Sequence, residues 1–355
     1  TADGFAGECT KQLKRCGFQN FKNQTFMIEG KDIRTFVQID GRTGEPAENR
    51  YGAYSMCFNN PDYREVYFNY LKDVVATGID GIMNDDIQFF GERNACTCQH
   101  CRKLFHEQTG YTLPDPENWD SFFDNYDDPA YIAWKKFKFD STARMYYDLT
   151  ALYEELGVKL IRPNYSSDIL KQNPTCYSFD RCTALWDIIE QENCFSAVMK
   201  ESYMDFYTEA VHRYAAGRRH GVPSMSMFYP DRKDSTYFAW ALSRSWGQLY
   251  SGTCEGYDIT EFEKPYRDFE KKYVDYYTAP DKIADVSFYL SLKTRDFIAD
   301  AFSRYTRKSM AGMQAAYAAG LCVDMVMEED SLEELCRHKV IVASHIPMMC
   351  DDELE

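Results

Sequence analysis

The sequence predicts a parallel α/β fold. Short apolar runs end in polar or acidic residues, helix-period segments separate them, and the two alternate along most of the chain. The first helix pattern covers 62–77, with Val66, Tyr67, Tyr70, Leu71 and Val74 on one face, Pro61 ahead and Gly78 behind. A strand over 79–86 follows and finishes in Asn84-Asp85-Asp86. A helix over 99–108 stops at Thr109-Gly110, and a polar, acidic loop covers 113–128. A long helix is expected from Pro129, capped by Asp128, to Gly157. Next come a strand over 158–161, leading into Arg162-Pro163-Asn164-Tyr165, and a strand over 194–199, leading into Lys200-Glu201. A helix over 204–219, a strand over 223–228 ending in Tyr229-Pro230-Asp231, and a helix over 235–250 complete this series.

The pattern changes character near 280, after a charged, aromatic connector over 266–282. Beyond it the expected order is strand 284–292, helix 295–319, strand 321–327, short helix 331–336 and strand 340–344. Two domains are therefore expected, 1–280 and 281–355, and no internal repeat or low-complexity segment stands out.

Composition narrows the function. The 355 residues carry a formal charge of −16, with 45% hydrophobic and 27% charged residues, as in ordinary globular proteins. Such acidity disfavours phosphate-tracking nucleic-acid binding and docking on an anionic membrane. No stretch approaches the roughly 20 apolar residues of a spanning helix. Aromatic residues make up 16%, with 27 Tyr and 24 Phe, which suits a cleft for neutral, partly apolar ligands such as sugars. Residue 1 is Thr, no leader precedes it and a polar run closes the chain, so a fragment of a longer protein is expected.

The 13 cysteines are odd in number and irregularly spaced, which favours a reducing, cytoplasmic setting. The exception to the scatter is Cys96-Thr97-Cys98-Gln99-His100-Cys101. Three thiolates so close converge on one tetrahedral metal if a loop curls round it, with Cys57 as the expected fourth ligand. Four cysteines leave no open position, so the expected zinc is structural. A disulfide or three unrelated thiols are the other readings.

In parallel β/α architectures chemistry sits at the carboxyl ends of the strands. The candidates are thus Asp85 and Asp86, Arg162, Asn164 and Tyr165, Glu201, and Tyr229. Two carboxyls facing one pocket are the minimum equipment for glycoside hydrolysis. Asp85 and Glu201 are the expected pair, with Asp86 in reserve. Arg162, Asn164, Tyr165 and Tyr229 are the expected contacts to a carbohydrate substrate. Asp231 reads as a surface turn, and Trp186, Trp240 and Trp246 read as core more readily than as sugar platforms. No G-x-S-x-G elbow, G-x-G-x-x-G or P-loop is present, and His is scarce at six.

Asp80-Gly81-Ile82-Met83-Asn84-Asp85-Asp86, followed by Cys96-x-Cys98-x2-Cys101 and Phe105, resembles the β-galactosidases of glycoside hydrolase family 42 and uncharacterised barrel hydrolases near them. Cys57-Phe58-Asn59-Asn60-Pro61-Asp62-Tyr63-Arg64-Glu65 resembles the approach to helix three of those relatives. Segments 286–291, 317–324 and 339–344 are similar to their trimerisation domain, which is flavodoxin-like and akin to class I glutamine amidotransferases. The resemblance implies a (β/α)8 TIM-type barrel lacking its N-terminal strands, then the start of a flavodoxin-like domain. It implies a homo-oligomer, trimer or dimer, and a retaining glycosidase. Family 42 ends strand four in Asn-Glu, the Glu being the acid/base, and Asn84-Asp85 stands there one methylene shorter. The α-fucosidase type ends that strand in an Asp nucleophile, so both roles stay open for Asp85. No acid after Phe228 matches the nucleophile of family 42, while Glu201 resembles a recurrent acid of the uncharacterised group. No amidotransferase activity is implied, because no cysteine of the tail lies in a nucleophile elbow. The alternatives are a non-catalytic carbohydrate-binding barrel and a metal-dependent hydrolase using Asp85, Asp86 and a His.

Overall fold

The structure is a computed structural model that describes residues 27–48, 54–85, 87–89, 94–164, 169, 172–177, 179–193, 203–252, 258–277, 282–298, 301–344 and 346–354. The chain is mixed α/β and divides into two compact units. One comprises residues 1–161 and 172–185, the other 162–171 and 186–355.

The first unit is built round helices. Helix α1, Pro61–Ala76, starts where the Asn60 side chain accepts from the N–H groups of Asp62 and Tyr63. Strand β1, Gly81–Asp85, is paired with β2, Leu160–Asn164, where that strand begins. Helix α2, Gln99–Thr109, ends on Gly110 at φ 75°. Helix α3, Pro129–Glu155, carries the expected cap, Asp128 accepting from the Ala130 N–H at 2.8 Å. The core of this unit is aromatic. Trp119 and Trp134 pack edge to face at 5.2 Å, with Phe122 and Tyr131 against them. Gly41 is required here, since a Cβ would lie 2.4 Å from the Trp119 ring.

The second unit has two parallel three-stranded sheets. The first has the order β3, Ile189–Asn193; β4, Ser224–Phe228; and β5, Leu249–Gly252. Helix α4, Tyr203–His220, joins β3 to β4. Helix α5, Lys233–Ser245, joins β4 to β5, and α6, Thr260–Lys272, follows. The second sheet is centred on β6, Val286–Leu290. Helices α7, Leu292–Phe297, and α8, Ala301–Ala318, lead to β7, Val323–Met327. Helix α9, Leu332–Cys336, leads to β8, Ile341–Val342, and the strand order is β8-β6-β7. Helix α4 packs on both sheets. A Cβ on its Gly217 would lie 3.2 Å from Ile189 Cδ1, and its Tyr207 hydroxyl donates to the Val323 carbonyl at 3.5 Å. The boundary expected at 280 falls inside this unit, between its two sheets.

Three expected elements differ. The helix expected over 235–250 stops at Ser245, because Gly247 takes φ 74° and turns the chain into β5. The helix expected over 295–319 is two helices: Ser291 caps α7, and Ile298 is extended, which ends that helix before α8 begins. The connector over 266–282 contains most of α6. The strand expected over 194–199 lies outside the described residues, while 189–193, too polar to read as a strand, forms β3.

Candidate strand-end carboxylates and a four-cysteine centre

The cysteine centre arises from three segments laid side by side. Residues 37–40 bridge to Met56 on one side and to Ala95 on the other. The Cys57 N–H donates to the Phe36 carbonyl at 2.6 Å, and the Thr97 N–H to the Ile39 carbonyl at 2.9 Å. Cys98 is the residue before α2 and Cys101 lies in its first turn, so the helix fixes their spacing. The four sulfurs of Cys57, Cys96, Cys98 and Cys101 lie within 4.8 Å of one another, all four residues buried. Cys57 Sγ is 3.5 Å from both Cys98 Sγ and Cys101 Sγ. That is far longer than a disulfide. It is close to the ~3.8 Å edge of a tetrahedron with metal–sulfur bonds of about 2.3 Å.

The surroundings also suit thiolates. The Ile39 N–H points at Cys96 Sγ at 3.4 Å, and the Cys98 N–H at the same sulfur at 3.5 Å. The Asn59 amide donates to Cys101 Sγ at 3.4 Å and to Ser141 Oγ at 3.0 Å. Hydrogen bonds from Cys101, and then from Cys57, hold the Cys98 thiol well below its ordinary range. Cys57 is pushed up, first by its bond to Cys101 and then by its other sulfur neighbours and burial. A soft, thiolate-rich, closed site of this size fits zinc, which would tie the 37–40, 57 and 96–101 segments together without meeting substrate.

Asn84, one residue before the end of β1, is buried and fully engaged. Its amide donates to the Tyr67 hydroxyl at 3.1 Å, and its carbonyl accepts from the Tyr153 hydroxyl at 2.9 Å. It ties β1 to α1 and α3. Asp85 is the last residue of β1, which lies within the strand expected over 79–86. Arg162 and Asn164 lie in the last three residues of β2. Asp86, Tyr165 and Glu201 lie outside the described residues.

Tyr229 follows β4 directly, and its hydroxyl donates to Glu192 Oε1 at 2.5 Å. Sequence reasoning missed Glu192. It is the fourth residue of β3, paired in register with Met227 of β4, and it is half-buried. Side chains alternate along a strand. Gln191 turns towards α4, its amide 3.4 Å from the Phe206 carbonyl. Glu190 and Glu192 therefore share the face away from that helix, Glu190 deep and Glu192 near the carboxyl end. The signal available was the Glu-x-Glu spacing at period two after Ile188-Ile189. The apolar run just beyond it drew the strand assignment instead. In this unit Glu192 is a carboxylate at the carboxyl edge of a parallel sheet, held by a phenol, able to accept a proton or attack an electrophilic carbon.

The remaining expectations resolve simply. Asp231 accepts from Ser235 Oγ at 3.0 Å at the start of α5, the turn role expected of it. Trp186 and Trp246 are buried. Trp240 donates to Glu270 at 2.6 Å and stacks on Tyr266 at 5.0 Å, so its ring face is used within the protein. No helix among the described residues is long and apolar enough to cross a membrane.

No family model matches the chain, and no curated protein matches it. Solved structures do. An α-L-fucosidase, isoenzyme 2 from Paenibacillus thiaminolyticus, superposes over 90% of the chain and 46% of its own length, at a TM-score of 0.57 and 17% identity. A rhamnosidase from Novosphingobium sp. PP1Y superposes over 79% of the chain and 30% of its own length, at a TM-score of 0.50 and 12% identity. The chain thus spans less than half the length of either protein. Over most of its own residues it has the fold of these glycoside hydrolases.

Proposed function

We propose that the protein is a glycoside hydrolase that cleaves a glycosidic bond of an oligosaccharide or glycoconjugate by carboxylate chemistry. The observation that carries the reading is Glu192, a half-buried acid at the carboxyl edge of a parallel sheet, oriented by the Tyr229 hydroxyl at 2.5 Å, in a chain with a glycosidase fold. Asp85 is the second candidate and stands independently on its place at the end of β1. Glu201, and Asp86 after it, rest on the sequence reading of strand ends, which for Glu201 the resemblance supports. A TIM-type barrel with a flavodoxin-like part after it accommodates the two parallel sheets of the second unit.

The chemistry asks little beyond such groups. One carboxylic acid protonates the leaving oxygen while the other, as carboxylate, stabilises the oxocarbenium-like transition state or bonds to the anomeric carbon. Retention is proposed from the resembling families. It requires the two carboxyls about 5 Å apart, against ~6.5–9.5 Å for inversion. Neutral sugars suit a chain of charge −16.

The test is turnover of aryl galactosides, fucosides, glucosides, rhamnosides and arabinosides, both anomers, by the wild type beside Asp85→Asn, Glu192→Gln and Glu201→Gln. Phenol release from one sugar, abolished in Glu192→Gln or Asp85→Asn, supports the reading and names the sugar. Binding of a glycan without turnover, unaffected by any of the three, replaces it with a carbohydrate-binding barrel.

A further inference from the structure

Helices α5 and α6, with the turn Val274–Tyr276 after α6, carry a continuous run of six aromatic rings. Tyr237 lies 5.6 Å from Tyr266, Tyr266 5.0 Å from Trp240, and Trp240 6.1 Å from Phe269. Phe269 lies 4.6 Å from Tyr273, and Tyr273 6.2 Å from Tyr276. The run arises from sequence spacing. Tyr266, Phe269, Tyr273 and Tyr276 recur three and four residues apart, which places them along one stripe.

Such a stripe normally faces a core. Here α5 covers only part of it, at Trp240, and no residue of α6 is buried. Tyr237 stays 53% exposed, Phe269 45%, Val274 56% and Tyr276 80%. Together these four leave roughly 400 Å² of largely apolar surface open, taking ~150–250 Å² for a whole aromatic side chain. A patch of that size on a soluble protein marks an interaction surface. With its charged surroundings as rim it approaches the ~800 Å² that each partner of a stable complex contributes.

Two observations say what covers it. The first is charge. Helix α6 carries four acids and four bases, in a chain of charge −16. Glu263 and Arg267 are 3.5 Å apart, Lys264 pairs with Asp268, and Glu270 takes Arg244 and Trp240 of α5 at 2.6 Å. Two copies of this acidic chain repel over most of their surface, and a face without net charge is where they meet most easily. The second is ring orientation. Phe269 is inclined by 87° to Trp240 and by 49° to Tyr273, and Tyr273 by 56° to Tyr276. A glycan strand stacks on coplanar rings, and these are not coplanar. They form knobs, which pack into the gaps of another ridged protein surface.

We infer that the aromatic face of α5 and α6 is a self-association surface, on which a second copy of this chain docks about a two-fold axis with the same face. The face precedes the segments whose resemblance implies an oligomer, and the inference does not depend on the glycosidase reading.

The experiment is analytical ultracentrifugation of the full chain over about 0.5–100 μM. The expected result is a concentration-dependent species of twice the chain mass. Added sodium chloride should strengthen it, because screening relieves the repulsion between two acidic chains. Tyr276→Glu and Phe269→Glu should each weaken the dimer at least about tenfold, since each brings like charges together across the axis. Tyr147→Glu, equally exposed but in the first unit, should leave it unchanged. Melting curves of dilute protein report whether each variant is folded. If Phe269→Glu does not fold, the highly exposed Tyr276 decides. The proposal is overturned if the wild type stays monomeric, if folded Tyr276→Glu dimerises like the wild type, or if salt dissociates the dimer. Retardation of a monomeric wild type by galactan or hydroxyethylcellulose in affinity electrophoresis, lost in Tyr276→Glu, would also overturn it and give the face to a polysaccharide.

Discussion

The four-cysteine centre of the first unit and the Glu192 edge of the second are built on opposite principles. The cysteines are fully buried, and main-chain and Asn59 N–H groups point at their sulfurs. Glu192 is half-buried, with one oxygen held by Tyr229. A closed set of soft ligands can only hold structure together. A carboxylate held at one oxygen at a sheet edge can still exchange protons. Partnering and access, more than residue type, separate the closed cysteine cluster from the strand-end carboxylate proposed to react, and each of the following experiments presses on that distinction.

The largest effect is expected on chemistry alone. Glu192→Gln keeps the volume and can still accept from Tyr229, yet removes the charge. On the proposed reading it lowers kcat/KM by about a thousandfold, near 4 kcal/mol of transition-state stabilisation, with little change in melting temperature. Asp85→Asn is expected to act similarly. A Glu192→Gln protein that turns over normally would break the comparison from the catalytic side.

The cysteine centre should behave in the converse way. Cys98→Ser, or removal of bound metal by a chelator, should cost several kcal/mol and lower the melting temperature by on the order of 10 °C. At temperatures where the protein stays folded, turnover should be little changed. Metal analysis should give one zinc per chain for the wild type. Rapid loss of activity in chelator with an unshifted melting curve would favour the metal-dependent hydrolase instead.

Asn84 tests where structure stops along β1. Its side chain joins the Tyr67 and Tyr153 hydroxyls in the core, whereas the next residue, Asp85, closes the strand. Asn84→Ala removes both of these buried hydrogen bonds and should cost about 2–3 kcal/mol in urea unfolding. A catalytic loss out of proportion to that cost would place Asn84 in the site and not merely beneath it.

These two regions were unequally legible. The four-cysteine cluster could be read because Cys-x-Cys-x2-Cys is a rare local pattern, and the structure brings Cys57 to it as the expected distant member. Helices α1 and α3 were visible through caps and apolar period. Strand β3 was not, because Ile-Glu-Gln-Glu-Asn has one apolar residue in five. Its Gln191 is instead satisfied by Asn193 and the Phe206 carbonyl, partners that exist only in the fold. Strand β5 was absorbed into the helix before it, because Leu249 and Tyr250 continue the helical period and only Gly247 marks the break.

The smallest expected effect is the sharpest on the catalytic side. Tyr229→Phe removes one hydroxyl and leaves the ring and Glu192 in place. If the phenol only fills space at the end of β4, melting temperature shifts slightly and kinetics do not. If it orients the Glu192 carboxylate, kcat falls about five- to tenfold, near 1 kcal/mol, while KM stays put. Tyr229→Phe combined with Glu192→Gln should then be no slower than Glu192→Gln alone, because a residue acting only through Glu192 has nothing left to orient. Additive losses would instead give Tyr229 a contact of its own with the sugar, the substrate-binding role its position after β4 predicts.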